Sequence, residues 1–128
     1  WSFSDDQIER IHDYIQWIFP LDVPSNSVFH APVLMAEEIE DIKQSMLALN
    51  NLVRSKIWFI KFLKRNNRWL ESKNHNHKRI SRMIRSLGLL NGSRVAQNCV
   101  DEIIELAEQR EFKHYEVLDR WKRTGGSF

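Results

Sequence analysis

Five histidines and one cysteine are the residues of this 128-residue chain from which a metal site or a soft nucleophile would have to be built. His75-Asn76-His77 spells the shorthand of a nuclease motif. That shorthand describes dispersed residues on a strand-turn-helix metal fold, with acidic or histidine ligands that this segment lacks. As a metal pair, His75 and His77 would diverge by about 200° on a helix and converge only in an extended segment. A capping or loop role suits them better. His12-Asp13 has the form of the metal-binding dyad of helical phosphohydrolases, which also needs another histidine upstream, and none precedes residue 12. A solvated pair on a first helix is the simpler reading. Cys99 falls on an apolar helical face and reads as an inert core thiol. The chain has no Gly-rich phosphate loop and no serine nucleophile elbow, and the dipole of a first helical turn accounts for Glu37-Glu38. No base, nucleophile or metal set can be named, so the expectation is a protein that is not an enzyme and takes no metal and no cofactor.

Charge is the stronger signal. The formal net charge of +2 hides a sharp internal asymmetry. Residues 1–53 carry two basic side chains against nine acidic ones, whereas residues 54–85 carry eleven basic side chains against Glu71 alone. Like charges crowded into adjacent elements repel, so this basic belt needs an acidic partner. The partner is either the chain's own acidic stretch 37–41 or something outside. Lys78, Arg79, Arg82 and Arg85 share one predicted helix, and arginine pairs bidentately with phosphate or carboxylate. Nucleic acid is the less favoured partner: the helix after Gly88, in what would be a helix-turn-helix, carries Asp101, Glu102 and Glu105 where a groove-reading helix prefers bases.

These groups must be positioned by helices. A hydrophobic content of 42% over 128 residues supports one core. Four glycines and three prolines leave few sharp turns. Together they predict an all-α fold, a single compact bundle of five to six helices over residues 1–123, with a flexible tail at 124–128. Ser4-Asp5-Asp6-Gln7 is a helix start, and Ile8, Ile11, Ile15 and Ile18 form one stripe that Pro20 ends near Phe19. Residues 21–32 should be an irregular connection pinned by Val23, Phe29 or Val33. Residues 36–66 read as one long helix or as a short helix feeding a longer one, with the C-terminal half the more deeply buried. An Asn of the 74–77 segment caps the next helix, whose core face is Ile80, Met83, Ile84 and Leu87. Gly88 reads as its C′ residue. Asn91-Gly92-Ser93 opens a further helix through Val95, Cys99, Val100, Ile103, Ile104 and Ala107, and Tyr115, Leu118 and Trp121 mark a last short one. No apolar run approaches the roughly 20 residues that span a bilayer, and with a single cysteine there is no disulfide. A soluble, cytoplasmic protein without membrane contact is expected.

Two blocks carry a resemblance. His12-Asp13-Tyr14-Ile15-Gln16-Trp17-Ile18-Phe19-Pro20 closely resembles the HxYIQWLFP signature of the opioid growth factor receptor conserved region. Asn74 to Gly88, reading NHNHKRISRMIRSLG, is similar to that family's NHN-x-x-RITRILxSLGxLG segment. The resemblance implies a domain-only homologue of microbial type. Vertebrate members are described as receptors for an enkephalin peptide and act at the nucleus. Opioid recognition is not carried over, because Ser55-Lys56-Ile57-Trp58-Phe59 departs from the vertebrate pattern.

The shared blocks also suggest a site. Ile15, Trp17 and Ile80 are explicable by packing, although Trp17 also stands beside the polar candidates. His12, Gln16, His75, Asn76, Arg79 and Arg82 need hydrogen-bond partners if they are buried. His12 and Gln16 are four apart on the first helix, and His75, Arg79 and Arg82 follow four- and three-residue spacing on another. If the helices meet, these seven residues line one polar cleft that receives an anionic small ligand or a protein partner. A buried network fixing the helix packing is the alternative.

Overall fold

The computed structural model describes residues 2–11, 14–24 and 32–128. Seven α-helices lie among them: α1 (Asp5–Arg10), α2 (Ile15–Ile18), α3 (Ala36–Lys43), α4 (Met46–Arg65), α5 (His75–Asn91), α6 (Ser93–Gln109) and α7 (Tyr115–Gly125). A 3-10 turn, Arg68–Leu70, joins α4 to α5. The described residues contain no strand, only an isolated bridge between Leu21 and Val33. The all-helical expectation holds, with five helices of eight residues or more and two short ones at the front.

The expected first helix is broken in two. Ser4 and Gln7 form the capping box that the sequence predicts. The chain then turns extended at Ile11, which has φ −80° and ψ 122°. The cause is tertiary: carbonyls that should continue the helix are taken by side chains from elsewhere, as described below. Ile8 and Ile15 nevertheless both reach the core. Phe29 and the rest of 25–31 lie outside the described residues.

Residues 36–65 form two helices. Ser45 starts the second, its Oγ accepting from the amide of Ala48 at 3.1 Å. The C-terminal half of α4 is the buried half, through Phe59, Ile60, Phe62 and Leu63, while Met46, Leu47 and Ile57 are exposed. Gly88 is not a helix end. It lies inside α5, where a Cβ would overlap the ring of Phe128. The break falls at Gly92, whose φ of +96° explains the glycine there. The last helix outruns its expected end, since Thr124 and Gly125, placed in the expected tail, are helical and buried.

Helix α5 is central, packing against α3, α4, α6, α7 and the 3-10 turn. Around its start the core is aromatic. Trp69, Phe112 and Trp121 stack in sequence with centroids 6.0 and 5.9 Å apart. His77 stands edge-on to Phe112 and Trp121. Offset stacks and edge contacts are the favoured aromatic arrangements, and polar atoms in such a cluster need partners. His77 Nε2 meets the Trp69 carbonyl at 2.6 Å, and Trp121 Nε1 donates to the His77 carbonyl at 3.2 Å.

Candidate functional site

The first polar residues of α5 face the N-terminal segment. Asn74 caps the helix, its Oδ1 accepting from the Asn76 amide at 2.9 Å. His75 Nε2 stands 3.3 Å from a Glu9 carboxylate oxygen, and Asn76 Nδ2 donates to the other at 3.1 Å. One turn on, Arg79 is only 5% exposed. Its Nη1 donates to the Ile8 carbonyl at 2.8 Å and to Asn76 Oδ1 at 3.0 Å. Its Nη2 donates to the carbonyls of Ile11 at 2.9 Å and Glu9 at 3.5 Å. These are the orphan acceptors of a helix C-terminus, where a cation is also favoured by the dipole. Tyr14 completes the cap, its hydroxyl donating to the Ile8 carbonyl at 2.8 Å while the Arg79 guanidinium lies 5.4 Å from its ring centroid. Burial pushes the Tyr14 phenol up to about 12.

The same device recurs along α5. Arg82 Nε donates to the Phe19 carbonyl at 2.8 Å and its Nη2 to the Gln16 carbonyl at 3.4 Å, at the end of α2. Ser86 Oγ donates to the Pro20 carbonyl at 2.8 Å. Arg110 caps α4 likewise, bonding the carbonyls of Leu63, Lys64 and Asn66. Three arginines thus close three helix ends. The expected pairing of the basic belt with residues 37–41 is not what holds Lys56 and Arg65: Lys56 meets Glu102 at 2.6 Å and Arg65 meets Asp5 at 2.7 Å.

Between α2, α5 and α7 opens a cleft of about 480 Å³. That volume falls in the range of small-molecule sites. Gln16, His75, Arg79 and Arg82 line it, so the structure brings four of the seven predicted residues to one place. Asn76 lies behind, bonded to Glu9 and Arg79. Trp17, expected to be buried, is 63% exposed and does not line the cleft. The prediction for His12, like the His12-Asp13 pair, lies outside the described residues. Sequence reasoning missed Arg120 and Thr124 of α7 and the wall of Ile15, Leu21, Val23 and Pro24. No local pattern marks them, because they come from distant segments.

The described lining of the cleft is predominantly cationic. Lys78, Arg85 and Arg120 reach into it from exposed positions, and no carboxylate lines it among the described residues. None of the three forms an ion pair among the described residues. Arg82 Nη1 makes no hydrogen bond among the described residues. Gln16 is 6% exposed, yet its Oε1 has no hydrogen-bond partner among the described residues. A larger hollow of about 700 Å³ lies over the end of α4, but it is a shallow surface that includes Glu71, and its Arg65 and Arg110 are already bonded within the chain. Cys99 is buried, with its thiol pushed up to about 12 by that burial, which fits an inert core position. The described residues hold no group of three or more potential metal ligands. No helix among them is long and apolar enough to cross a membrane.

Fold and site together define an all-helical domain in which an N-terminal segment is docked, carbonyl by carbonyl, onto a central helix that also walls a basic cleft. The chain belongs to the opioid growth factor receptor (OGFr) conserved-region family, whose sequence model matches residues 1–109. It is similar to the opioid growth factor receptor of Mus musculus, 33% identical across 70% of this chain and 17% of that protein. The Homo sapiens receptor is 31% identical across 70% of this chain and 16% of its own length. Opioid growth factor receptor-like protein 1 of Mus musculus is 29% identical, with 70% and 23% covered. The chain therefore spans less than a quarter of these relatives. No solved structure matches it.

Proposed function

We propose that this chain is a non-enzymatic binding domain whose cleft between α2, α5 and α7 receives the anionic group of a small ligand or a protein partner. The observation that carries this reading is the cluster of Lys78, Arg85 and Arg120 around one concavity with no carboxylate among its described lining residues. Cations gathered in a concave site repel one another and focus a positive potential that an anion relieves. The start of α5 at His75 adds the positive end of a 17-residue helix to the same wall. Arg79, expected to meet the ligand directly, has its guanidinium committed to main-chain carbonyls and acts by holding the wall in place. The receptor names of the relatives fit a binding role, and peptide recognition does not come with them, because the chain covers so little of those proteins.

The test uses exposed cations so that the fold is spared. Inorganic pyrophosphate titrated at low salt should raise the Tm of the intact chain, as any ligand that binds only the native state does. Added sodium chloride should weaken the effect. An Arg85→Ala, Arg120→Ala double variant should keep its Tm without pyrophosphate and lose most of the increment. Absence of any increment in the parent chain up to millimolar pyrophosphate defeats the reading. An Arg79→Ala variant would not answer the question, because it also uncaps α1.

A further inference from the structure

Resting on the reading of the cleft as an anion site, we infer that its occupant is a nucleoside di- or triphosphate, with the phosphates on Lys78, Arg82, Arg85 and Arg120 and the base against Gln16 and the apolar wall. Three features narrow the chemistry. The first is charge. Among the described residues, Lys78, Arg85 and Arg120 form no ion pair and Arg82 Nη1 makes no hydrogen bond. A single carboxylate or monoester would leave half or more of this set unneutralised. Two or three phosphates in a row, each able to take bidentate arginine contacts, match it.

The second feature is the opposite wall. Val23 and Pro24 are exposed at the rim, with Ile15 and Leu21 behind them. An inorganic polyanion or a sugar phosphate would leave this surface wet, whereas a flat heteroaromatic ring would cover it. The third is Gln16. Gln16 lines the cleft, and its Oε1 is buried and lacks a donor among the described residues. A fully ionised phosphate has only acceptors, so the anion itself cannot satisfy that oxygen. A ring N–H or exocyclic amino group can. The carboxamide also offers N–H on its other side, which lets one side chain read both edges of a base. A buried polar atom without a partner is costly, so a ligand that supplies the donor binds more tightly than one that does not.

Calorimetry on the intact chain, free of magnesium and at moderate salt, separates the parts of the inference. ATP, GTP, CTP and UTP are each compared with inorganic tripolyphosphate. At least one nucleotide should bind tenfold or more tightly than tripolyphosphate. Val23→Ser and Gln16→Met should each lower that nucleotide's affinity several-fold and leave tripolyphosphate binding unchanged. Arg85→Ala with Arg120→Ala should weaken both ligands. If tripolyphosphate binds as well as every nucleotide, the nucleoside inference is overturned while the anion site stands. If none of the five binds, both fall. If a short single-stranded oligonucleotide outcompetes every mononucleotide, the basic surface serves nucleic acid, and the inference is overturned in that direction.

Discussion

Arg79 and His77 are two residues apart on α5 and solve opposite problems. Arg79 stays charged in a buried position because main-chain carbonyls surround its guanidinium. Burial pushes its pKa down, but an arginine has far to fall before it loses its proton. His77 instead stays neutral. Burial among Phe112, Trp121 and Trp69 pushes its pKa below the ordinary 6.5, the carbonyl of Trp69 resists that push, and His114 and Arg120 add to it. The folded state then binds a proton less readily than the unfolded chain. The stability this residue contributes is complete above pH 6.5 and is lost as the pH falls below it. Thermal melts should accordingly be flat from pH 7 to 8 and decline towards pH 5, and a His77→Gln variant should flatten the acid limb. Retention of the full acid limb in that variant would assign the loss to other groups. Sequence alone offered His77 as a loop or capping residue, because its neighbours Phe112 and Trp121 come from more than 30 positions away.

The helices divide into those whose ends were written locally and those whose ends were not. Ser4 with Gln7, and Asn74 ahead of α5, use side chains within three residues, so the sequence predicts them correctly. The split of residues 5–18 was invisible, because the groups that break it, Arg79 and Arg82, lie some 70 positions downstream. Gly88 has the sequence context of a stop, but only its lack of a side chain matters, beneath Phe128. The end of α6 offers a further prediction. Glu111 has a φ of +59°, with the Phe112 amide returning to the Ala107 carbonyl at 2.9 Å and the Glu111 amide to Glu108 at 3.1 Å. This is the left-handed cap at which glycine is usual and a side chain is strained. Replacing Glu111 with Gly should stabilise the protein by about 0.5–1 kcal/mol in denaturant melts. A neutral or destabilising result would mean that the glutamate's side chain holds the cap in some other way.

At the scale of the whole molecule, one apolar core joins every described helix except α3, which packs against it through Ile39 and Ile42. Cys99 sits inside that core with no exposed surface. A thiol reagent should therefore reach it only when the fold opens. Native labelling should be slower than labelling in denaturant by about a thousandfold or more, the ratio expected of a marginally stable domain. Rapid native labelling would reveal a local opening of α6. The charge asymmetry of the sequence survives in three dimensions but is redistributed. The spacing of Lys78, Arg82 and Arg85 already put three cations on one side of a helix, whereas Arg120 and the Val23-Pro24 rim join them only through the packing of α7 and the N-terminal segment. The manner of that packing also governs which positions can drift. Arg79, Arg82 and Ser86 grip the carbonyls of Ile8, Ile11, Phe19 and Pro20, and every amino acid presents the same carbonyl. At these four carbonyls the docking interface is therefore blind to side-chain identity on one side and exacting on the other. Ile8, Glu9, Tyr14 and Phe19 are instead fixed by what their own side chains touch. In a saturation mutagenesis screen for folded protein, exposed Arg10 and Trp17 should accept most replacements, while the three gripping residues on α5 accept almost none.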